Sequence, residues 1–192
     1  MASPGISENS AFYQSAASCS KELISEVELA WRESAKDSVW VAITGTNGKT
    51  TTTSLIAHVL KECGKNVCAV GNIGDACIEE VSKEIYSCYV AEVSSYQLAS
   101  IKHFAPEVAV LLNITPDHLK WHGSFEAYAK AKQNIYANCT EDATVILDAT
   151  NEVSSWICVA NSKKRSFPKV SLYSYGHGCR HSGQHASCVR FR

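Results

Sequence analysis

Apolar residues fall into short continuous runs that alternate with stretches in which they recur every third or fourth position. Val39 to Thr44 is such a run. Leu55, Ile56, Val59, Leu60 and Cys63 then follow at helical spacing until Gly64 supplies a C-terminal stop. Val67 to Val70, Tyr86 to Val93, Val108 to Ile114 and Thr144 to Leu147 are further strand candidates, rich in β-branched residues and continuous rather than alternating in polarity. Buried parallel strands read that way. Helices are expected between them at Asp75 to Lys83, Ser94 to His103 and Ser124 to Cys139, the last with Ser124 as N-cap and Glu126 in its first turn. The alternation predicts an α/β fold, an open and mostly parallel sheet covered by helices.

The pattern holds over residues 39–148 and fades on both sides. Residues 1–38 contain one amphipathic candidate, Glu22 to Ala35, behind a serine-rich stretch, and read as a connector into the sheet. Residues 149–192 are expected to form a poorly ordered tail. That tail carries His177, Cys179, His181, His185 and Cys188, whose spacing matches no closed zinc finger. Composition narrows the function classes. The chain has 192 residues, 45% of them hydrophobic, and 18 Lys and Arg against 19 Asp and Glu. Balanced charge creates no field that would gather nucleic acid or an anionic membrane, so an anionic ligand has to be captured locally. The first residues, MASPGISENS, have no leader character, and no run reaches the ~20 apolar residues of a membrane span, so the cytoplasm is the expected compartment. Nine scattered cysteines, an odd number, are read as reduced thiols.

The segment AITGTNGKTTTTSLIAHVL, residues 42–60, carries the most specific chemistry. A strand ends at Thr44, Gly45, Thr46, Asn47 and Gly48 make a turn, and Lys49, Thr50 and Thr51 open a helix. Glycines let backbone N–H groups approach phosphate oxygens, the helix N-terminus favours negative charge, Lys49 reaches the terminal phosphates and the Thr50 hydroxyl can ligate Mg²⁺. The general phosphate-loop pattern asks for a further glycine at position 43, where this chain has Ile43, so the loop is a shorter G-x-x-G-K-T form.

GTNGKTTT (45–52), GNIG (71–74), EVSSYQL (92–98) and LNITPDHLKWHGSFEAYAKAK (112–132), with SPGIS and EVELAWR upstream, together resemble the Mur ligases over about residues 3–148. The resemblance implies a three-domain protein with an N-terminal uridine-nucleotide domain, a central ATPase domain and a C-terminal domain that completes the site. Residues 1–38 would be the end of the first domain and 39–148 part of the second. SPGI, GNIG and SSYQL are similar to the branch that joins D-glutamate to UDP-N-acetylmuramoyl-L-alanine. The branch that adds the third amino acid typically has histidine where this chain has Tyr96. The implied reaction is ATP-dependent amide formation through an acyl phosphate, in peptidoglycan precursor synthesis, by a monomer using ATP and Mg²⁺. By resemblance Lys49 binds phosphate; Thr50, Glu92 and His118 ligate magnesium; Lys132 is carbamylated to face the metals; and Asn72 and Ser94 contact the muramoyl substrate. Lys120 departs from the family pattern, in which an acidic residue is common.

The residues support the site without the name. Lys49, Asn72, Glu92 and His118 each fall just beyond the C-terminal end of an expected parallel strand, the edge where open α/β sheets bind ligands. Alone, Glu92 reads equally as a strand-end carboxylate paired with a lysine. His118 and His122 could form an i, i+4 zinc pair, but no third ligand lies nearby. Lys130 and Lys132 sit about 200° apart on a helix, so one of them at most faces the site; the resemblance selects Lys132. A non-catalytic nucleotide-binding module and another amino-acid ligase of the same type remain alternatives.

Overall fold

The computed structural model describes residues 1–148, 150–151, 169–173 and 186–189. Its strands are β1 (Val39–Thr44), β2 (Val67–Gly71), β3 (Cys88–Glu92), β4 (Val108–Leu111), β5 (Thr144–Asp148), β6 (Lys169–Tyr173) and β7 (Ala186–Val189). They form one sheet in the order β2-β3-β1-β4-β5-β6-β7, and every pairing is parallel. From β1 the chain passes through α3 (Lys49–Glu62) to β2, returns to β3, and then crosses to β4 on the far side of β1. The direction of winding therefore reverses beside β1, which puts a crevice at the C-terminal ends of β1 and β4.

The two faces of the sheet are covered unequally. Val41, Ile43, Val90 and Val110 point to the face packed by Ile56, Ala57 and Leu60 of α3. Trp40, Ala42, Tyr89, Ala91, Ala109 and Leu111 point to the other. That second face is packed by α2 (Glu26–Glu33), α4 (Cys77–Ser82), α5 (Ser95–Ala99) and α7 (Phe125–Gln133). Trp40 stacks on Tyr89 at 4.9 Å between ring centroids and meets Phe104 edge-on at 6.0 Å.

One buried carboxylate ties α2 to this core. Glu28 accepts from the backbone N–H groups of Lys102, His103 and Phe104 at 2.9–3.1 Å and from Arg32 Nε at 2.8 Å. These bonds also end α5 at Ala99, four residues short of the expected His103, because the amides that would extend the helix are turned to Glu28. The helix expected to run to Cys139 stops at Gln133 and continues as a single 3₁₀ turn, Asn134–Tyr136. The strand expected to reach Ile114 ends at Leu111, which frees Asn113 for the crevice. Two short helices lie outside the expected pattern: α1 (Ala11–Cys19), which buries no residue, and α6 (Leu119–His122).

β6 and β7 fall within residues 149–192. Residues 149, 152–168, 174–185 and 190–192, including His177, Cys179, His181 and His185, lie outside the described residues. Cys19, Cys63, Cys68, Cys77, Cys88 and Cys139 are free thiols. Among the described residues no helix is long and apolar enough to cross a membrane.

Candidate functional site

The turn after β1 is braced from β4. Asn113 Oδ1 accepts from the amides of Thr46 and Asn47 at 3.1 and 2.9 Å, and Asn113 Nδ2 donates to Asn47 O at 3.1 Å. Gly45 packs so closely on Leu112 that an added Cβ would sit 3.0 Å from Leu112 Cβ. Gly48 is the N-cap of α3 in the left-handed region, φ 81°, and no side chain caps the first-turn amides. Those N–H groups, at the positive end of a fourteen-residue helix, suit an anion. Lys49 Nζ lies over the turn, donating to the carbonyls of Gly45 and Thr46 at 3.0 Å each. Thr50 and Thr51 are exposed on the first turn.

Glu92 ends β3 and is 1% exposed. Its Oε1 accepts from Asn72 Nδ2 at 2.9 Å, whereas its Oε2 is buried with no hydrogen-bond partner. An uncompensated carboxylate oxygen in the interior is costly, and a hard cation satisfies it. The neighbouring strand makes room for this arrangement at Gly71, φ 95°, where a Cβ would collide with the Glu92 carbonyl.

The third wall comes from α6 and α7. His118 opens α6 with φ 52°, a conformation uncommon outside glycine, and its Nε2 lies 3.3 Å from Asp117 Oδ2. Lys132, 2% exposed, donates to Gly45 O at 2.7 Å and stands over the Tyr128 ring, 4.8 Å from its centroid. Burial and then the neighbouring Lys49 charge push its pKa down to about 7. Lys130, two positions away, is exposed, as a 200° separation requires. His122 turns its Nε2 to Ser95 Oγ at 3.0 Å and stacks on Tyr96; burial, with Lys132 and His118 nearby, pushes its pKa down to about 4. His122 Nε2 is thus engaged by Ser95, and among the described residues no three His, Cys, Asp or Glu side chains converge as a metal cluster.

Thr46, Lys49, Asn72, Ser94, His118 and Lys132 line one cleft of about 100 Å³, together with Ser95, Tyr96 and Tyr128. Glu92 meets it through Asn72. Ser94 also caps α5, donating to Gln97 Oε1 and accepting from Gln97 N. The fit to magnesium rests on Glu92 Oε2, with Thr50 and His118 as further donors. Lys132 as an ammonium only donates, and a carbamate would give it the carboxylate oxygens of a metal ligand. Sequence reasoning missed Asn113, Tyr128 and Ser95. Asn113 ends the same LLN run that was read as strand, and an amide directly after a strand facing a glycine turn is the signal that could have found it.

Comparisons with known proteins bear on this geometry. The sequence profile of the Mur ligase middle domain matches residues 43–187. The UDP-N-acetylmuramoylalanine--D-glutamate ligase of Caldanaerobacter subterraneus subsp. tengcongensis is 42% identical over 167 residues, 86% of this chain and 36% of that relative. The enzyme of the same name from Alkaliphilus metalliredigens is 49% identical over 137 residues, 71% of this chain and 30% of that relative. The crystal structure of the MurF ligase from Thermotoga maritima in complex with ADP superposes with a TM-score of 0.56 at 20% identity, covering 80% of this chain and 36% of that one. The chain thus spans about a third of the length of the curated relatives it matches.

Proposed function

The chain belongs to the Mur ligase family, and from that premise we propose that it is the phosphate- and metal-binding part of an ATP-dependent ligase joining D-glutamate to UDP-N-acetylmuramoyl-L-alanine. One observation carries the reading: Lys49, Asn72, His118 and Lys132, from four separate segments, line a single cleft, and Asn72 links that cleft to Glu92, whose Oε2 has no partner. The names of the relatives supply the substrates, and the ADP of the structural neighbour supports a nucleotide.

In this reading the nucleotide phosphates lie on the first-turn amides of α3, and Lys49 leaves the Gly45 and Thr46 carbonyls to meet them. Asn113 keeps the turn open. Glu92 through Oε2, the Thr50 hydroxyl, His118 and a carbamylated Lys132 would hold magnesium, which would supply positive charge against the transferring phosphoryl group. Asn72 and Ser94 orient the muramoyl substrate so that its carboxylate attacks the γ-phosphate and ADP leaves; the D-glutamate amine then displaces phosphate from the acyl phosphate and loses a proton as the amide forms. The low pKa of Lys132 supports its role, since only a neutral amine adds CO₂ and at neutral pH a substantial share of this one is neutral.

A chimera tests the reading. Residues 39–148 replace the matching segment of the Caldanaerobacter ligase, and phosphate release is assayed with Mg-ATP and both substrates. Release that requires UDP-N-acetylmuramoyl-L-alanine and D-glutamate together is expected. A folded chimera that binds Mg-ATP but releases no phosphate with both substrates contradicts the ligase reading and favours a nucleotide-binding module.

A further inference from the structure

Tyr128 touches more of the cleft than any role assigned so far requires. It is 1% exposed, one turn before Lys132 on the same face of α7. Its hydroxyl lies 2.9 Å from Thr46 Oγ1, in the middle of the glycine turn. The Thr46 hydroxyl also accepts from Thr115 N at 3.0 Å and can give its proton to Thr115 O at 3.2 Å. When that proton goes to Thr115 O, Tyr128 donates to the turn; the 2.9 Å pair is compatible with either direction. The Tyr128 ring meanwhile carries the Lys132 ammonium on its face, at 4.8 Å, and takes the rings of His118 and His122 edge-on at 6.2 and 5.3 Å. Among the described residues, no other side chain lining the cleft reaches the turn, the α7 lysine and the α6 histidines together.

We propose that Tyr128 is the positioning residue of this site, its hydroxyl fixing the glycine turn and its ring fixing Lys132 and His118, so that the phosphate side and the metal side are held in register by one buried side chain. The inference rests on the reading of the turn as a nucleotide site. It follows from the connectivity of the fold: β1 and α7 are far apart in sequence, and Asn113 braces the turn from β4 only. Without the Tyr128 hydroxyl, Thr46 keeps its bonds to Thr115, and the turn keeps only the Lys132–Gly45 bond as a tie to the helix that bears Lys132.

Tyr128→Phe isolates the hydroxyl while keeping the ring, and Thr46→Val removes its partner. The 192-residue chain, both variants, the double variant and Lys49→Ala are titrated with Mg-ATP by calorimetry, and backbone amide resonances are recorded for each. A lost neutral hydrogen bond corresponds to a fall in affinity of about three- to tenfold. Each single variant is expected to show that fall, the double variant no more than either single one, with resonance shifts in both centred on Gly45–Gly48. Tyr128→Phe binding like the wild type while Lys49→Ala loses binding overturns this inference alone, as do fold-changes that multiply in the double variant. Lys49→Ala binding like the wild type overturns the nucleotide reading itself, and the inference with it.

Discussion

Lys132 is a cation placed where a cation is expensive, and its cost should be measurable as a pH-dependent stability. Its pKa falls from 10.5 to about 7, first through burial and then through Lys49. Each unit corresponds to about 1.4 kcal/mol, so keeping the ammonium buried costs the native state roughly 5 kcal/mol at pH values below the folded pKa. Between about 7 and 10.5 the unfolded chain binds the proton and the native chain does not, so stability rises with pH across that window. Lys132→Met keeps the volume and removes the titration; Gly45 O retains its bond from Lys49. In CO₂-free buffer the Met variant should be about 3–5 kcal/mol more stable than the wild type near pH 6. The two should come within about 1 kcal/mol near pH 10, where the remaining protonation of the unfolded amine and the neutral hydrogen bond of the native one largely offset each other. Urea unfolding at several pH values reads this directly. A difference that stays constant from about pH 6 to pH 10 refutes the burial argument. The same neutral amine should take up CO₂ from labelled bicarbonate and give a carbamate carbon resonance absent from Lys132→Met.

Glu28→Ala removes the acceptor shared by Arg32 and three backbone amides and should cost about 3–5 kcal/mol in urea unfolding, the range for breaking a buried charged cluster from one side; a loss under about 1 kcal/mol contradicts the clamp. Gly71→Ala forces a methyl group against the Glu92 carbonyl at a left-handed φ and should cost at least about 2 kcal/mol; an unchanged melting temperature argues against the close approach. The 192-residue chain alone, given Mg-ATP and both substrates, should release no phosphate above a Lys49→Ala control. It spans 36% of its Caldanaerobacter relative, and the positioning of two reactants contributes about 7–11 kcal/mol of barrier lowering. Ligated product at an enzyme-like rate contradicts that expectation.

The parallel sheet was legible because its strands are buried on both faces and read as continuous apolar runs, and the cleft because its residues follow strand ends. Element ends were less so, for tertiary reasons. Nothing local in SIKHFAP announces that its amides serve Glu28, 74–76 residues upstream, so α5 read too long. α6 escaped because four residues carry no periodicity; left-handed residues bound it, His118 at its start and Gly123 at its end. Lys132 could be separated from Lys130 by helix geometry, but which of the two is buried followed only from packing. Tyr128 reads as an ordinary core aromatic in sequence, and its hydroxyl contact with Thr46 depends on the crossing of α7 over the end of β1.

A crystal structure of the chain with ADP and Mn²⁺, the metal located by anomalous scattering, tests the central claim most directly. The account predicts the β-phosphate on the amides of Gly48, Lys49 and Thr50, Lys49 withdrawn from the Gly45 carbonyl, and the metal at about 2.0–2.3 Å from Glu92 Oε2, a usual carboxylate–metal distance. A nucleotide bound away from the α3 N-terminus, or a metal that leaves Glu92 Oε2 without a partner, would contradict it.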